Sequence, residues 1–304
     1  MGAGHGHGHG ATAGHVGGKY RWRLAVTFAM VADFFLVELF AGLWSGSLAL
    51  ISDAGHMAAD VVALGAALVA TRIATRPDRT GRRTYGSYRA EVFASGLAVL
   101  IMLGVAAFVV TEAIGRIGAA PEVATGPMLI VGVIGLVINV LSMLLLREGS
   151  AESLNVKGAY YEVVSDAAGS VGVIVAGGLI VLTGQAVWDT VVAVAIGVFV
   201  AVRAVLLGKQ VLAVLGQHVP DDVSLDQVIT DLESLSGVAD VHDIHVWTLT
   251  SGMHVATAHL VVSDTDAQEV LTKAQELLAS KHRIEHATLQ TESAPTQQCH
   301  EVNW

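Results

Sequence analysis

Two pairs of ionisable residues lie inside long apolar stretches of this sequence. His56 and Asp60 form one pair, and Glu162 and Asp166 form the other. Each pair is spaced i, i+4, so its two side chains share one face of an α-helix. A charged residue at the centre of a membrane helix costs about 2.5–3.5 kcal/mol to insert, so each of these residues needs a partner or a function.

Together the two pairs provide the ligands of a metal site. One imidazole and three carboxylates can surround Zn²⁺ tetrahedrally, with ligand atoms roughly 2.0–2.2 Å from the ion. His56 is the one histidine between positions 20 and 208. Two alternatives to a metal site are a hydrogen bond from this histidine to another helix and a proton relay without metal. Two ionisable pairs at comparable depth in separate helices favour the metal site.

The composition indicates a membrane protein. Of 304 residues, 53% are hydrophobic and 14% are charged, whereas soluble proteins have roughly 25% charged residues. A transmembrane helix needs about 20 apolar residues. Six segments meet this requirement: 24–44, 48–71, 90–114, 126–146, 155–183 and 187–207. The two ionisable pairs then lie in the second and fifth helices.

Positive charges predict the orientation of these helices. Lys and Arg residues precede the first segment, fill the loop before the third, follow the fourth and close the sixth. The opposite loops contain Arg116 alone. Because cytoplasmic loops are enriched in Lys and Arg, we expect a multi-pass protein of the plasma (inner) membrane with both termini in the cytoplasm.

The last hundred residues differ in charge and pattern. Residues 209–304 contain 4 Lys/Arg and 14 Asp/Glu, which accounts for the whole formal net charge of −10. Helical periodicity at 224–235 and 266–282, with three intervening or following strand patterns, predicts the order α-β-β-α-β. This order is typical of an open ferredoxin-like sandwich. The acidic surface attracts cations, and we expect no nucleic-acid partner.

Four regions are therefore predicted: a flexible Gly/His-rich N-terminus (1–19), a transmembrane domain (20–208), a cytoplasmic α+β domain (209–293) and a C-terminal tail (294–304). The N-terminal histidines either collect metal weakly or have no role. They are His5, His7, His9 and His15. The single cysteine, Cys299, excludes an intrachain disulfide.

Four segments resemble signatures of the cation diffusion facilitator family: SGSLALISDAGHM with Asp60 (45–60), the segment 85–91 with its Tyr-Gly, Arg and Glu, NVKGAYYEVVSD (155–166) and VHDIHVW (241–247). The resemblance covers about residues 20–293. It implies a homodimeric metal/proton antiporter with six transmembrane helices and a cytoplasmic ferredoxin-like domain.

One position departs from the pattern of many zinc-transporting members, which have His four residues before the Asp of the fifth helix. Here Glu162 is found instead, as in the bacterial CzcD-like cobalt–zinc–cadmium efflux branch. Glutamate is a harder ligand and is one methylene longer than aspartate. We therefore expect Zn²⁺ as the main substrate together with Co²⁺ and Cd²⁺. A carrier selective for Mn²⁺ or Fe²⁺ is the alternative.

The resemblance also implies a metal site in the cytoplasmic domain. His242 and His259 match positions that hold metal in the family, and Glu292 lies near a third position. Four further residues are accessory candidates, each with a purely structural role as the alternative: Asp53 in the outward path, and His245, His282 and His286 in the soluble region.

The predicted function is proton-coupled antiport that exports divalent cations. Metal ligands must lose their protons, so metal binding and proton release are linked. Zn²⁺, or Co²⁺ or Cd²⁺, is the substrate and a possible regulator, and no organic cofactor is expected. The sequence lacks a motif such as H-E-x-x-H, so we expect a secondary transporter rather than an enzyme. A membrane-anchored metal sensor, or a carrier of a non-metal substrate, are the alternatives.

Overall fold

Six long helices contain all six predicted apolar segments. The computed structural model describes residues 14–74, 84–117, 122–150, 154–250, 252–263 and 266–294. The long helices are α1 (Gly14–Ser45), α2 (Leu48–Ala74), α3 (Arg89–Gly115), α4 (Thr125–Ser150), α5 (Leu154–Thr183) and α6 (Val187–Leu215).

Five of these helices are long and apolar enough to cross a membrane, among the residues that the structure describes. The spans are Ala25–Ser45, Arg89–Gly115, Thr125–Glu148, Ala159–Thr183 and Val187–Leu215. The fold prediction is confirmed for these five. The remaining long helix, α2, contains three ionisable residues within its first thirteen positions, and its side chains are described only in part. A sixth span therefore stays a prediction.

Two helix boundaries lie beyond the predicted apolar segments. α1 begins at Gly14, ten residues before the predicted apolar segment at 24–44. α6 continues to Leu215, eight residues past the predicted end at 207. Hydropathy marks the part of a helix that suits lipid. Once a helix has formed, each further residue adds a hydrogen bond, and no proline interrupts either extension.

The first compact unit comprises Met1–Leu68 and Ala94–Leu207. Within it, α4 packs alongside α5 and α1. The interior contains buried apolar side chains such as Phe34, Met57 and Val173. Large apolar side chains also point outward, and Leu182 is 82% exposed. An apolar outer surface of this kind suits contact with lipid.

Asp189, in the first turn of α6, holds the start of α2. Its buried carboxylate accepts hydrogen bonds from the Ser47 hydroxyl (2.6 Å) and from the backbone N–H groups of Leu48 (2.7 Å) and Ala49 (3.2 Å). Arg116 adds an ion pair at 3.1 Å. The free N–H groups of a helix N-terminus favour a negative partner. This contact sets the depth at which α2 presents its ionisable residues.

The second compact unit comprises Val69–Phe93 and Gly208–Trp304. Its elements beyond α6 are α7 (Leu225–Glu233), β1 (Val238–Thr250), β2 (Met253–Val262), α8 (Ala267–His282) and β3 (His286–Glu292). The sheet order is β1-β2-β3, with β1 and β2 antiparallel and β2 and β3 parallel. The predicted α+β domain with the order α-β-β-α-β is confirmed.

The two short helices cover this sheet with their apolar sides. Val228 and Leu232 of α7 and Leu278 of α8 pack in one core with Leu260 of β2. Side-chain caps at Ser224 and Asp266 begin the two helices. In such a cap, the side-chain oxygen accepts a hydrogen bond from a free backbone N–H group of the first turn.

Candidate metal centres

Ligand atoms of His56, Asp60 and Asp166 come together in the first unit. Nδ1 of His56 lies 3.6 Å from Oδ2 of Asp60, and Nε2 lies 3.7 Å from Oδ1 of Asp166. One ligand atom of each residue lies within 4.8 Å of the other two. Neighbouring ligand atoms in a tetrahedral zinc site are roughly 3.4 Å apart. The three residues are thus spaced closely enough to surround a single ion, which would bind one of the two nitrogens of the His56 ring.

Two of the three residues are buried and Asp60 is partly buried, and one polar atom of each lacks a hydrogen-bond partner. His56 is 1% and Asp166 is 2% exposed, and the Asp60 side chain is 13% exposed. The atoms without a partner are Nδ1 of His56, Oδ2 of Asp60 and Oδ1 of Asp166. Buried polar atoms almost always have a partner. Three buried polar atoms without a partner, on residues that lie this close together, fit a site that binds a cation.

Helices α2 and α5 approach closely beside this group. Asp53, one turn before His56 on α2, is 1% exposed and lies against Gly169 of α5. A Cβ at Gly169 would be 2.1 Å from Oδ1 of Asp53, so only glycine permits this approach. The carboxylate of Asp53 faces that of Glu38 on α1, which is fully buried. Asp53 therefore lies next to the three-ligand group, without being part of it.

Glu162 lies outside the three-ligand group, although the sequence predicts it as a fourth ligand. Nη2 of Arg203 donates hydrogen bonds to both of its carboxylate oxygens, at 2.7 and 2.6 Å. Nη1 of the same guanidinium lies 2.9 Å from Nε2 of His56. The structure thus brings three of the four predicted residues together and pairs the fourth with a cation on α6.

The contacts of Arg203 were not predicted from the sequence. This residue was expected to be one of the positive charges that mark the cytoplasmic end of the sixth helix. Because α6 continues to Leu215, Arg203 lies within the helix, and a basic residue inside an apolar helix was the available signal. One turn earlier, the Phe199 ring lies 6.0 Å from the His56 ring and 6.0 Å from the Arg203 guanidinium carbon.

A second group of ligand atoms lies on the sheet of the second unit. His242 and His259 are cross-strand partners on β1 and β2, with ring centroids 5.4 Å apart. Glu292, on β3, places Oε1 2.9 Å from Nδ1 of His259 and Oε2 3.7 Å from Nε2 of His242. One ligand atom from each of these three residues lies within 4.8 Å of the others. The structure therefore brings the three predicted cytoplasmic residues together.

A β-bulge adds a carboxylate to this second group. Asp243 has φ +50°, in the left-handed region, at the register shift between His242 and His245. Bulges redirect side chains in this way. Its oxygens lie 3.1 Å from Nε2 of His245 and 3.8 Å from Nε2 of His259. Asp240 lies 3.2 Å from Nδ1 of His242. Neither aspartate was predicted as a neighbour of the group, because the bulge is not visible in the alternation pattern of the sequence.

The other accessory candidates lie elsewhere in the second unit. His282 pairs with Asp231 of α7 at 2.9 Å, and His286 is exposed at the start of β3, opposite Val255. Neither belongs to the group around His259. The N-terminal metal-binding candidates lie outside the described residues or have side chains that are not described: His5, His7, His9 and His15.

Comparison with known protein families decides the class of the molecule. The cation efflux transmembrane domain matches residues 24–215, and the cytoplasmic domain of cation efflux proteins matches residues 220–294. The chain belongs to the cation diffusion facilitator family. The family match places it among metal cation efflux transporters rather than enzymes, and it confirms the resemblance found in the four sequence segments.

Relatives within the cation diffusion facilitator family span nearly the whole chain. The metal cation efflux system protein CzcD of Cupriavidus metallidurans is 44% identical over 98% of this chain and 92% of its own length. The cadmium, cobalt and zinc/H⁺-K⁺ antiporter of Bacillus velezensis is 32% identical, covering 92% and 91%. The zinc transporter ZitB of Escherichia coli is 37% identical, covering 91% and 88%. The chain is therefore a CzcD-like member of this family.

One solved structure resembles the soluble part of this family member in sequence. It is the metal-bound C-terminal domain of the CzcD transporter, 38% identical, covering 23% of this chain and 99% of that one, with a TM-score of 0.22.

Proposed function

We propose that this protein exports divalent metal cations from the cytoplasm in exchange for protons, with Zn²⁺ as the main substrate and Co²⁺ and Cd²⁺ as further substrates. The observation that carries the proposal is the group His56, Asp60 and Asp166, whose ligand atoms are within 4.8 Å of one another. The relatives support the same metals, since they include a cadmium, cobalt and zinc antiporter and a zinc transporter.

The donor types of this group suit the proposed substrates. An imidazole nitrogen with carboxylate oxygens binds Zn²⁺ and Co²⁺ well, and nitrogen ligands distinguish the group from the all-oxygen sites of Mg²⁺ and Ca²⁺. In the proposed transport site Glu162 is the fourth ligand. Its carboxylate must leave Arg203 to reach the ion.

Proton exchange follows from the chemistry of these ligands. A carboxylate or an imidazole binds metal only after losing its proton, so a metal ion entering from the cytoplasm displaces protons. On the outer side, protons bind to the carboxylates and the metal ion leaves. A movement of helices that opens the site to one side at a time completes the cycle.

Several features of the molecule belong to the same proposal. In it, α2 is the sixth transmembrane helix, both termini lie in the cytoplasm, and the protein is in the plasma membrane. The soluble domain has a ferredoxin-like fold, with domains at 20–208 and 209–293. Two chains form a homodimer. Metal at His242, His259 and Glu292 draws the acidic domains together by neutralising their repulsion.

Metal uptake into proteoliposomes tests the proposal. Wild type and Asp166→Ala are reconstituted with an imposed pH gradient, and Zn²⁺, Co²⁺, Cd²⁺ and Mn²⁺ entering the lumen are measured with a trapped fluorescent chelator. Asp33→Ala is the matched control, because Asp33 is an exposed acidic residue of α1. We expect the pH gradient to drive uptake in wild type and in the control. Uptake by Asp166→Ala equal to wild type would disprove the site.

A metal sensor that does not transport is the second candidate, and the cytoplasmic group supports it. A sensor would bind Zn²⁺ through His242 and His259 without any metal movement across the bilayer. Its Zn²⁺ binding would also be unchanged in Asp60→Ala. Wild-type proteoliposomes that bind Zn²⁺ but accumulate none would favour this candidate.

A further inference from the structure

A guanidinium group occupies one side of the proposed transport site. Arg203 holds both oxygens of Glu162 through Nη2, at 2.7 and 2.6 Å, and reaches Nε2 of His56 through Nη1, at 2.9 Å. It therefore contacts two of the four residues that the proposed site needs. Both contacts connect α6 to helices that carry site residues, α5 for Glu162 and α2 for His56.

The contact with His56 occupies one of the two ring nitrogens through which this residue can bind a metal ion. An arginine side chain stays protonated and only donates hydrogen bonds. Nε2 of His56 must therefore be the accepting nitrogen, which assigns the proton of the ring to Nδ1. The lone pair of Nε2 then points at the guanidinium. A metal ion that binds this nitrogen has to displace Arg203.

The contact with Glu162 must also break before a metal ion can bind this carboxylate. Nη2 of Arg203 donates to both carboxylate oxygens, so this one charged nitrogen engages the whole carboxylate. While Arg203 holds them, Glu162 cannot act as a fourth metal ligand. The Glu162 and Arg203 side chains are 36% and 26% exposed, whereas His56 is 1% exposed. The ion pair thus lies at the edge of the site, where both side chains have room to move.

We propose that Arg203 is a tethered cation that competes with the metal substrate for His56 and Glu162. Without metal, its positive charge balances the carboxylates of the site. An incoming metal ion displaces it and gains both ligands. When the guanidinium returns, it weakens the hold on the ion and promotes release. This inference rests on the proposed function, since it concerns how the transport site binds its substrate.

The proposal and a purely structural role for Arg203 predict different kinetics. A residue that only joined helices would lower the rate of transport when removed, with an unchanged or higher KM. A competitor has the opposite effect on KM, because the metal no longer has to displace it. Its removal also slows release, so the turnover number falls together with KM.

Transport kinetics of Arg203→Met in the full-length protein test the proposal. Initial rates of Zn²⁺ uptake are measured in proteoliposomes over a range of Zn²⁺ concentrations at fixed pH. We expect the KM for Zn²⁺ to fall about ten-fold, the size of one charge-assisted hydrogen bond, together with a lower turnover number. Lys209→Met is the matched control, because it removes one positive charge from an exposed position on the same helix, and it should leave KM unchanged.

Two further variants decide the result if Arg203→Met fails to fold. Arg203→Lys keeps the charge, but its single nitrogen cannot replace Nη1 on His56 and Nη2 on Glu162 at the same time, so we expect a smaller fall in KM. In a Glu162→Gln background, Arg203→Lys should change KM less than in wild type, because the two residues act as a pair. An unchanged or higher KM in the folded Arg203 variants overturns the proposal. Absence of Zn²⁺ uptake in wild type would instead overturn the proposed function.

Discussion

The two ligand groups of this protein differ in the charges that surround them. The membrane group consists of His56, Asp60 and Asp166. It has a cation, Arg203, in contact with His56 and with the neighbouring Glu162. The cytoplasmic group has additional carboxylates, since Asp240 and Asp243 lie beside His242 and His259. A neighbouring cation opposes metal binding, whereas neighbouring carboxylates favour it. We infer that the first group is suited to releasing an ion and the second to keeping it.

The secondary-structure elements that carry the two groups also differ, in how freely their ligands can move apart. His242 and His259 face each other across two hydrogen-bonded strands, whose register fixes their separation. His56 and Asp166 lie on separate helices, α2 and α5, and packed helices can shift relative to each other without losing their internal hydrogen bonds. A transport site needs such movement, and a regulatory site does not.

Removal of the Asp60 carboxylate should distinguish the functions of the two groups most clearly. Asp60→Ala removes a carboxylate ligand from the membrane group, and we expect Zn²⁺ transport to fall about 100-fold or more, since even partners behind the ligands contribute 10–100-fold. Zn²⁺ binding by the cytoplasmic group should be unchanged. Uptake into proteoliposomes and equilibrium dialysis of the purified protein measure the two effects. Transport at the wild-type rate would contradict the role of the membrane group.

The converse variant is His259→Ala. It removes the histidine that lies between Glu292 and Asp243, and we expect Zn²⁺ affinity at the cytoplasmic group to fall by about 10–100-fold. The maximal rate of transport should fall far less. His286→Ala is the control, because it removes an exposed histidine of β3 outside the group. Equal loss of transport and of cytoplasmic binding in His259→Ala would show that the two groups are one functional unit.

Glu162→His tests the origin of the metal range. A histidine at this position is the residue of many zinc-transporting family members, and it leaves Arg203 without a carboxylate partner. We expect the ratio of Zn²⁺ to Cd²⁺ transport to rise about ten-fold, because ligand type controls metal choice. Glu112→His makes the same change in a Glu–Arg pair with Arg116 and should leave the ratio as it is. An unchanged ratio of Zn²⁺ to Cd²⁺ transport in Glu162→His would show that Glu162 does not control metal selectivity.

The smallest expected effect concerns Asp231, which joins α7 to α8. Lys281 donates a hydrogen bond to this carboxylate at 2.8 Å and holds its pKa below the ordinary value of 3.8, and His282 lowers the pKa further. A carboxyl group with a lowered pKa stabilises the fold above its unfolded pKa, and this contribution is lost as the pH falls through the folded pKa.

Asp231→Asn should therefore weaken the cytoplasmic domain at neutral pH and make no difference in strong acid. Hydrogen–deuterium exchange of the α7 and α8 peptides, compared between wild type and variant at each pH, measures this. Glu233→Gln, at an exposed position of the same helix, is the control. A difference between wild type and Asp231→Asn that is the same at neutral and acid pH would contradict the ion-pair explanation.

Much of this architecture could be predicted from the sequence. The helix positions, the α-β-β-α-β order and the shared faces of His56 with Asp60 depend on hydropathy and on repeats of 3.6 or 2 residues. These are properties of neighbouring residues. Helix ends were less predictable, because α1 and α6 continue beyond the apolar segments that indicated them.

The sequence by itself determined which residues are buried in apolar helices and which of them carry chemistry, because both follow from local composition and spacing. Only the tertiary structure decided their partners. Arg203 lies 147 positions from His56 and 41 from Glu162, and Asp189 lies 142 positions from Ser47. Contacts over such separations depend on how helices pack against one another, and no local pattern contains that information. The pairing of Glu162 with a cation rather than with its three expected companions is therefore a property of the packed molecule.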